Sequence, residues 1–184
     1  MEPFPVVEFP DPVRQAMRLD GELFRLGDAF VPVGMPECPE LRAAAAIAGR
    51  SRRLIPARAT ASWIWGAALL PALRPEFVVD TGARWAPVPG EGIDVVETVI
   101  RPGETVDCGG VAVTSPLRTA VDLARFRMPF TLVDAEQVRT LAALGGFGLA
   151  EALASLEEAR HLAGKLLAVE RLTATLADQP ELTR

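Results

Sequence analysis

The chain has 184 residues, with 19 Lys and Arg against 24 Asp and Glu and a formal net charge of −5. That length accommodates one hydrophobic core, or one core with a small appended module, and excludes more than two domains. The acidic balance excludes a protein that coats polyanions with a uniformly basic surface.

Hydrophobic residues make up 49% of the chain and its mean hydropathy is +0.22, so a sizeable core is expected. The most apolar run, Ala61 to Leu73, is broken by Ser62, Gly66 and Pro71. It falls short of the roughly 18 apolar residues that a membrane helix needs. The opening MEPFPVVEFPDPV has neither a basic stretch nor an unbroken apolar one, so a secretory leader is not expected. The expectation is a soluble, cytoplasmic protein with no membrane partner. Cys38 and Cys108 lie far apart and lack any C-x-x-C neighbour, which reads as two reduced, structural thiols rather than a zinc site or a disulfide framework.

In chain order, Pro12 opens a short helix with Val13, Ala16 and Met17 at helical spacing and Leu19 at its end, and Asp20-Gly21 stops it. A hairpin follows, with Leu23 to Leu26 and Ala29 to Val33 as strands and Gly27-Asp28 at the turn, both able to take positive φ. Helix plus two-stranded wing is the second half of a winged helix-turn-helix, but with its first half missing the pattern reads first as a helix and hairpin packed on the main body. Pro3, Pro5 and Pro10 prevent the preceding residues from supplying the missing helices.

A helix from about Pro39 to Ala48, stopped by Gly49, and another from about Thr60 to Leu69, broken by Pro71, come next. Between Leu41 and Pro75 stand six arginines (Arg42, Arg50, Arg52, Arg53, Arg58 and Arg74) and no acid, the one basic segment in an acidic chain. From Glu76 the pattern turns to β-branched runs, EFVVD, IDVVETVI and TVDCGGVAVT, with turns at Pro87 to Gly92, Pro102-Gly103 and Gly109-Gly110. These read as a short antiparallel sheet closed by a hairpin at Gly109-Gly110. Thr114 or Ser115 then caps a helix with Pro116 in its first turn. Helices over about Phe130 to Leu144, Leu149 to His161 and Lys165 to Ala177 complete the chain. Val133, Val138, Leu141 and Leu144 share one face of the first, and Leu166, Val169, Leu172 and Leu176 one face of the last.

Enzyme signatures are not expected among these elements. The single histidine, His161, falls on a polar helix end, and no Ser, His and Asp set or Cys and His set can be assembled around it. The only lysine, Lys165, lacks P-loop spacing, and Gly145-Gly146-Phe147-Gly148 follows a helix rather than a strand. Glu151, Glu157, Glu158 and Arg160 form a solvated charged face. Arg118 and Asp122, four residues apart among Val121, Leu123 and Ala124, read as a pair that orients its helix against the sheet. Trp63 and Trp65 point about 200° apart on a helix, so they cannot make one stacking platform. One is expected in the core and the other against a second element or solvent.

The stretches ARATASWIWGA, GGVAVTSPLRTAVDLAR and GELFRLGDAFVPVG, in that spacing, resemble the AbiEi family of type IV antitoxins, in particular its short actinobacterial members. The resemblance spans about Pro12 to Leu176 and is most specific over Thr114 to Arg125. A related group places the same central block before a nuclease domain, but the acidic and lysine motifs of those relatives are not found, so nuclease activity is not expected. The resemblance implies an N-terminal winged helix that binds operator DNA, and a larger C-terminal domain that counters a nucleotidyltransferase-like toxin. This chain departs from it in lacking the first helices of the winged helix. Arg14 and Arg18 stand where a recognition helix would be and Arg25 on the wing, but Asp11, Asp20, Glu22 and Asp28 surround them and weaken any attraction for phosphate.

The sequence therefore points to an α+β fold: a truncated winged-helix-like segment over 1–35, and a domain over 36–184 in which a small sheet packs with a C-terminal helical bundle. The expected function is that of a cofactor-free, non-enzymatic antitoxin or transcriptional regulator. Arg50, Arg52, Arg53 and Arg58 are the principal contact for DNA or an acidic partner, since arginine grips phosphate or carboxylate through two nitrogens. A stand-alone interaction domain without a toxin, or a diverged nuclease-associated domain, are the alternatives.

Overall fold

Residues 9–83, 92–157 and 163–177 are described by the computed structural model of the chain. Pro3, Pro5, most of the turn expected at Pro87 to Gly92, and Glu158, Arg160 and His161 lie outside them. Among the described residues the order is α1 (Asp11–Leu19), β1 (Leu23–Leu26), β2 (Ala29–Pro32), α2 (Pro39–Ile47), β3 (Ile55–Pro56), α3 (Arg58–Ile64) and β4 (Glu76–Asp80). Then come β5 (Asp94–Thr98), β6 (Thr105–Cys108), β7 (Val111–Thr114), α4 (Pro116–Phe126), α5 (Leu132–Gly145), α6 (Leu149–Glu157) and α7 (Lys165–Leu176). The fold is α+β, and no described helix is long and apolar enough to cross a membrane.

The first hairpin pairs Leu23 with Pro32 through Leu26 with Ala29, so Gly27 and Asp28 form a two-residue turn. Only Gly27 takes a positive φ there, 59°, and a Cβ on it would meet the Trp63 ring at 3.5 Å. The turn thus needs glycine for its backbone and sits against the α3 indole. Leu26, Ala29 and Val31 share one core with Leu41 of α2, Trp63 and Ile64 of α3, and Cys108 and Val113 of the β6–β7 hairpin. Helix α1, by contrast, buries no residue. A buried Leu or Val contributes about 2 kcal/mol, and α1 lacks that anchor.

Two elements differ from the sequence expectation. Helix α3 ends at Ile64 with Trp65 as its C-cap, because Gly66 takes a φ of 81° and turns the chain. Leu69, expected at the end of that helix, is instead in an exposed segment with Leu70 and Leu73. The β region is also more divided than a single antiparallel sheet. The two-residue strand β3 pairs antiparallel with β4, β4 pairs parallel with β5, and β6–β7 form a separate hairpin. Strand direction is set by the connection: residues 81–93 are long enough for the crossover that a parallel pair requires, and β-branched composition carries no sign of it. Phe77 and Val79 of β4 with Leu54 form a third, small core.

The C-terminal helices enclose the largest core, built from Leu123 and Ala124 of α4, Val138 and Leu141 of α5, Ala152 and Leu156 of α6, and Leu172 and Leu176 of α7. Helix α5 opens with a capping box in which Thr131 and Asp134 exchange hydrogen bonds, and Gly146 in the left-handed region ends it. Its buried stripe runs through Ala135, Val138, Leu141 and Ala142, leaving Val133 and Leu144 exposed. On α7 the buried residues are Ala168, Leu172, Thr175 and Leu176, and Leu166 is exposed. In both helices small side chains let neighbouring backbones approach, so the buried face follows Ala and Thr as well as the large aliphatics.

Candidate functional site

The acid-free arginine segment is acid-free along the chain only. Arg42 donates to Glu37 (2.6 Å) and to the Trp63 carbonyl (2.8 Å), with its guanidinium 5.7 Å from the Trp63 ring. Arg50 spans Asp28 (2.8 Å) and the Ala46 carbonyl (3.0 Å), and Arg74 meets Asp94 at 3.0 Å. Arg58 lies 3.4 Å from Glu76. Four of the six arginines in the segment are therefore matched by carboxylates from other parts of the fold, while Arg52 and Arg53 are exposed.

Arg58 also carries a φ of 47°, the left-handed region that a side chain adopts at a cost of about 1 kcal/mol or more. Glu76 holds it there. One Glu76 oxygen faces the Arg58 guanidinium and the other accepts the Ala59 amide at 2.9 Å, while the Glu76 amide donates to Thr60 Oγ1 at 2.7 Å. Ala57 offers no side-chain cap, so the first residue of β4 caps α3 from across the fold. Arg58 is accordingly a structural residue of that joint.

On the N-terminal elements, Arg14 pairs with Asp11 (3.1 Å) and lies 5.5 Å over the Phe30 ring, and its Nε is buried without a hydrogen-bond partner. Arg18 donates to Gln15, and Arg25 to the Gly27 carbonyl with Asp28 beside it at 3.6 Å. Each of these three arginines is thus engaged by partners on the N-terminal helix and hairpin.

The tryptophans divide as their spacing predicts. Trp63 is 2% exposed in the core beneath the first hairpin. Trp65 packs against both the hairpin core and the helical core, and its indole N–H donates to the Thr114 carbonyl at 2.8 Å. Thr114 Oγ1 lies 2.8 Å from Thr119 Oγ1 and bonds the Pro56 carbonyl, and Ser115 Oγ accepts the Arg118 amide as the α4 N-cap. Pro116 follows at the first helical position.

The expected Arg118–Asp122 pair is the middle of a larger network. Asp122, 2% exposed, accepts from Arg118 Nε (2.7 Å) through one oxygen and from Arg125 Nη1 (2.8 Å) through the other. Arg118 Nη1 reaches Glu104 at 2.6 Å, and Arg125 Nε reaches the Ala163 carbonyl at 3.0 Å. For Arg118, burial works against the charged form, but Asp122 and Glu104 outweigh it and raise its pKa. For Arg125, burial dominates, Asp122 offsets it only in part and Arg118 adds repulsion, so its pKa is lowered. Arg125 was readable in the sequence as the next turn of the Arg118–Asp122 stripe; Glu104, on the approach to β6, gave no such signal. The network borders a cavity of about 250 Å³ lined by Arg101, Glu104, Ser115, Arg118, Arg125 and Ser155 among others.

The most exposed apolar segment among the described residues follows α3. Leu69, Leu70 and Leu73 are 93%, 78% and 107% exposed. Leu70 and Leu73, but not Leu69, line a groove of about 460 Å³ together with Arg127 and Gln137. Among the described residues no group of three or more His, Cys, Asp and Glu is placed to hold a metal ion. No family model matches the chain, and no curated protein matches it.

Proposed function

We propose that the protein is a non-enzymatic, antitoxin-like binding protein that acts by gripping a protein partner through Leu69, Leu70 and Leu73. The observation that carries this reading is the contrast between those leucines and the basic segment around them. Three large aliphatics stand in water, two of them lining a groove, whereas Arg42, Arg50, Arg58 and Arg74 already have acidic partners within the fold. Exposed apolar clusters beside polar rims mark contact surfaces, and arginines with their charge met contribute little to polyanion binding. The partner class comes from the resemblance to AbiEi antitoxins, which implies a nucleotidyltransferase-like toxin. Operator DNA is the second reading, favoured by the exposure of Arg52 and Arg53.

Co-expression with a nucleotidyltransferase-like toxin, taken from the neighbouring genes if one is encoded there, tests the proposal. The wild-type chain should restore growth, Leu70→Asp with Leu73→Asp should abolish the rescue with the far-UV spectrum intact, and Arg52→Gln with Arg53→Gln should leave it unchanged. Absence of rescue by the wild-type chain overturns the antitoxin reading. Rescue that survives the two aspartates overturns the contact surface. A salt-sensitive mobility shift with upstream DNA, lost in the double Gln variant, would move the conclusion to DNA.

A further inference from the structure

We infer that the cavity beside α4 is a binding site for a small phosphate monoester, held by Arg101, Arg118 and Arg125. The walls supply three guanidinium groups, and among the described residues the carboxylates in direct contact with them are two, Glu104 and Asp122. Among the described residues one positive charge is thus left unmatched at the site. The bonds to those carboxylates and to the Ala163 carbonyl use Nε and Nη1 of Arg118 and of Arg125, and none of them uses Nη2. Each buried guanidinium therefore keeps part of its donor fork for an occupant.

Two further features favour an anion there. The cavity runs along the flank of the 11-residue helix α4, from its cap Ser115 past Arg118 and Val121 to Arg125 in the last turn, and so takes in the cap end, where the helix dipole favours negative charge. The lowered pKa of Arg125 reports a cation whose burial is not fully offset by its neighbours, a deficit that an anion would correct. Phosphate fits this donor set better than a planar carboxylate, because guanidinium groups from the β5–β6 connection (Arg101) and from α4 (Arg118, Arg125) approach the space from more than one element and a tetrahedral group presents acceptors to each of them, while the Ser155 hydroxyl donates to the Ala152 carbonyl at 2.9 Å and only lines the wall. Leu117 and Val121 add an apolar wall for the body of the ester, and about 250 Å³ suits a sugar phosphate rather than a dinucleotide. This site is independent of the leucine segment, so neither proposal stands or falls with the other.

Calorimetric titration of the full chain at low ionic strength with inorganic phosphate and with ribose 5-phosphate tests the inference. One saturable site for ribose 5-phosphate is expected. Arg101→Gln, at a side chain 42% exposed and outside the Asp122 bonds, should weaken it about tenfold, the loss of one charge-assisted contact. Ser155→Asp, which sets a carboxylate into the cavity without touching the arginine bonds, should abolish it. Binding of inorganic phosphate alone overturns the assignment to a monoester. No saturable binding, or binding unmoved by Arg101→Gln, overturns the site; should Ser155→Asp fail to fold, Arg101→Gln decides.

Discussion

Replacing Asp122 by Asn removes the one anion shared by two buried arginines, and the structure sets the size of the effect. The carboxylate is 2% exposed and its two oxygens accept from Arg118 Nε at 2.7 Å and Arg125 Nη1 at 2.8 Å. Asparagine keeps one acceptor but turns an amide N–H₂ toward the second guanidinium, so a favourable contact becomes donor against donor. Removing one partner of a buried ion pair costs about 3–5 kcal/mol. The lower end applies, because Arg118 retains Glu104 and Arg125 retains the Ala163 carbonyl. A loss of about 3 kcal/mol is a large share of a total stability of about 5–15 kcal/mol, and with an m-value of about 2 kcal/mol/M it lowers the urea midpoint by about 1.5 M. The triple variant Arg118→Met, Asp122→Leu, Arg125→Met should recover most of that loss, because the buried carboxylate and both its arginines go together and the partly exposed Glu104 keeps Arg101 at 3.9 Å. A loss below about 1 kcal/mol in Asp122→Asn, or a triple variant no more stable than the single one, would refute the assignment of Asp122 as the neutralising centre of α4.

Trp65→Phe deletes the hydrogen bond to the Thr114 carbonyl and part of the packing between two cores; a loss of about 2 kcal/mol by urea denaturation is expected. Ser115→Ala removes the α4 cap and should cost about 1 kcal/mol in the same assay. A thiol reagent at neutral pH should label Cys38, which is half-buried, and leave Cys108 unlabelled until the chain is unfolded in urea. Burial, helped by Glu40, Cys38 and Asp107, pushes the Cys108 thiol from 9.0 up to about 11. Below pH 9 both folded and unfolded chains hold that proton, and between 9 and 11 only the folded chain does, so stability should fall as pH rises through this window. Cys108→Ala should show a shallower fall across the same range than the wild type.

Local signals in the sequence were informative where a single residue type has one physical role. Ser115 before Pro116, Gly109-Gly110 between two β-branched runs and Gly146 after α5 each mark an end that the structure keeps. The spacing of Trp63 and Trp65 likewise separates a core residue from one that reaches a second element. What was not legible depended on distance in the chain. The arginine segment looked unopposed because its acids, Asp28, Glu37, Glu76 and Asp94, lie outside the 41–75 window and are brought in only by the fold. The parallel pairing of β4 with β5 depends on the path between them, and the end of α3 on Gly66 overriding the apolar run after it. Helix faces were misjudged where alanine carries the packing: on α5 the periodicity of large aliphatics points to Val133 and Leu144, but close approach of α4 selects Ala135 and Ala142.

The position of Trp65 has a consequence for how the molecule responds to what it holds. Its ring belongs to the contacts of both major cores, and its N–H ends on the last residue of β7, immediately before the α4 cap. Loosening either core strips apolar cover from a side chain that the other also needs, so the two melt as one cooperative unit rather than as separable halves. Anything that steadies α4 should therefore be felt at the first hairpin, whose tip rests on Trp63 two residues before Trp65, and amide exchange in β1 and β2 is expected to slow in response.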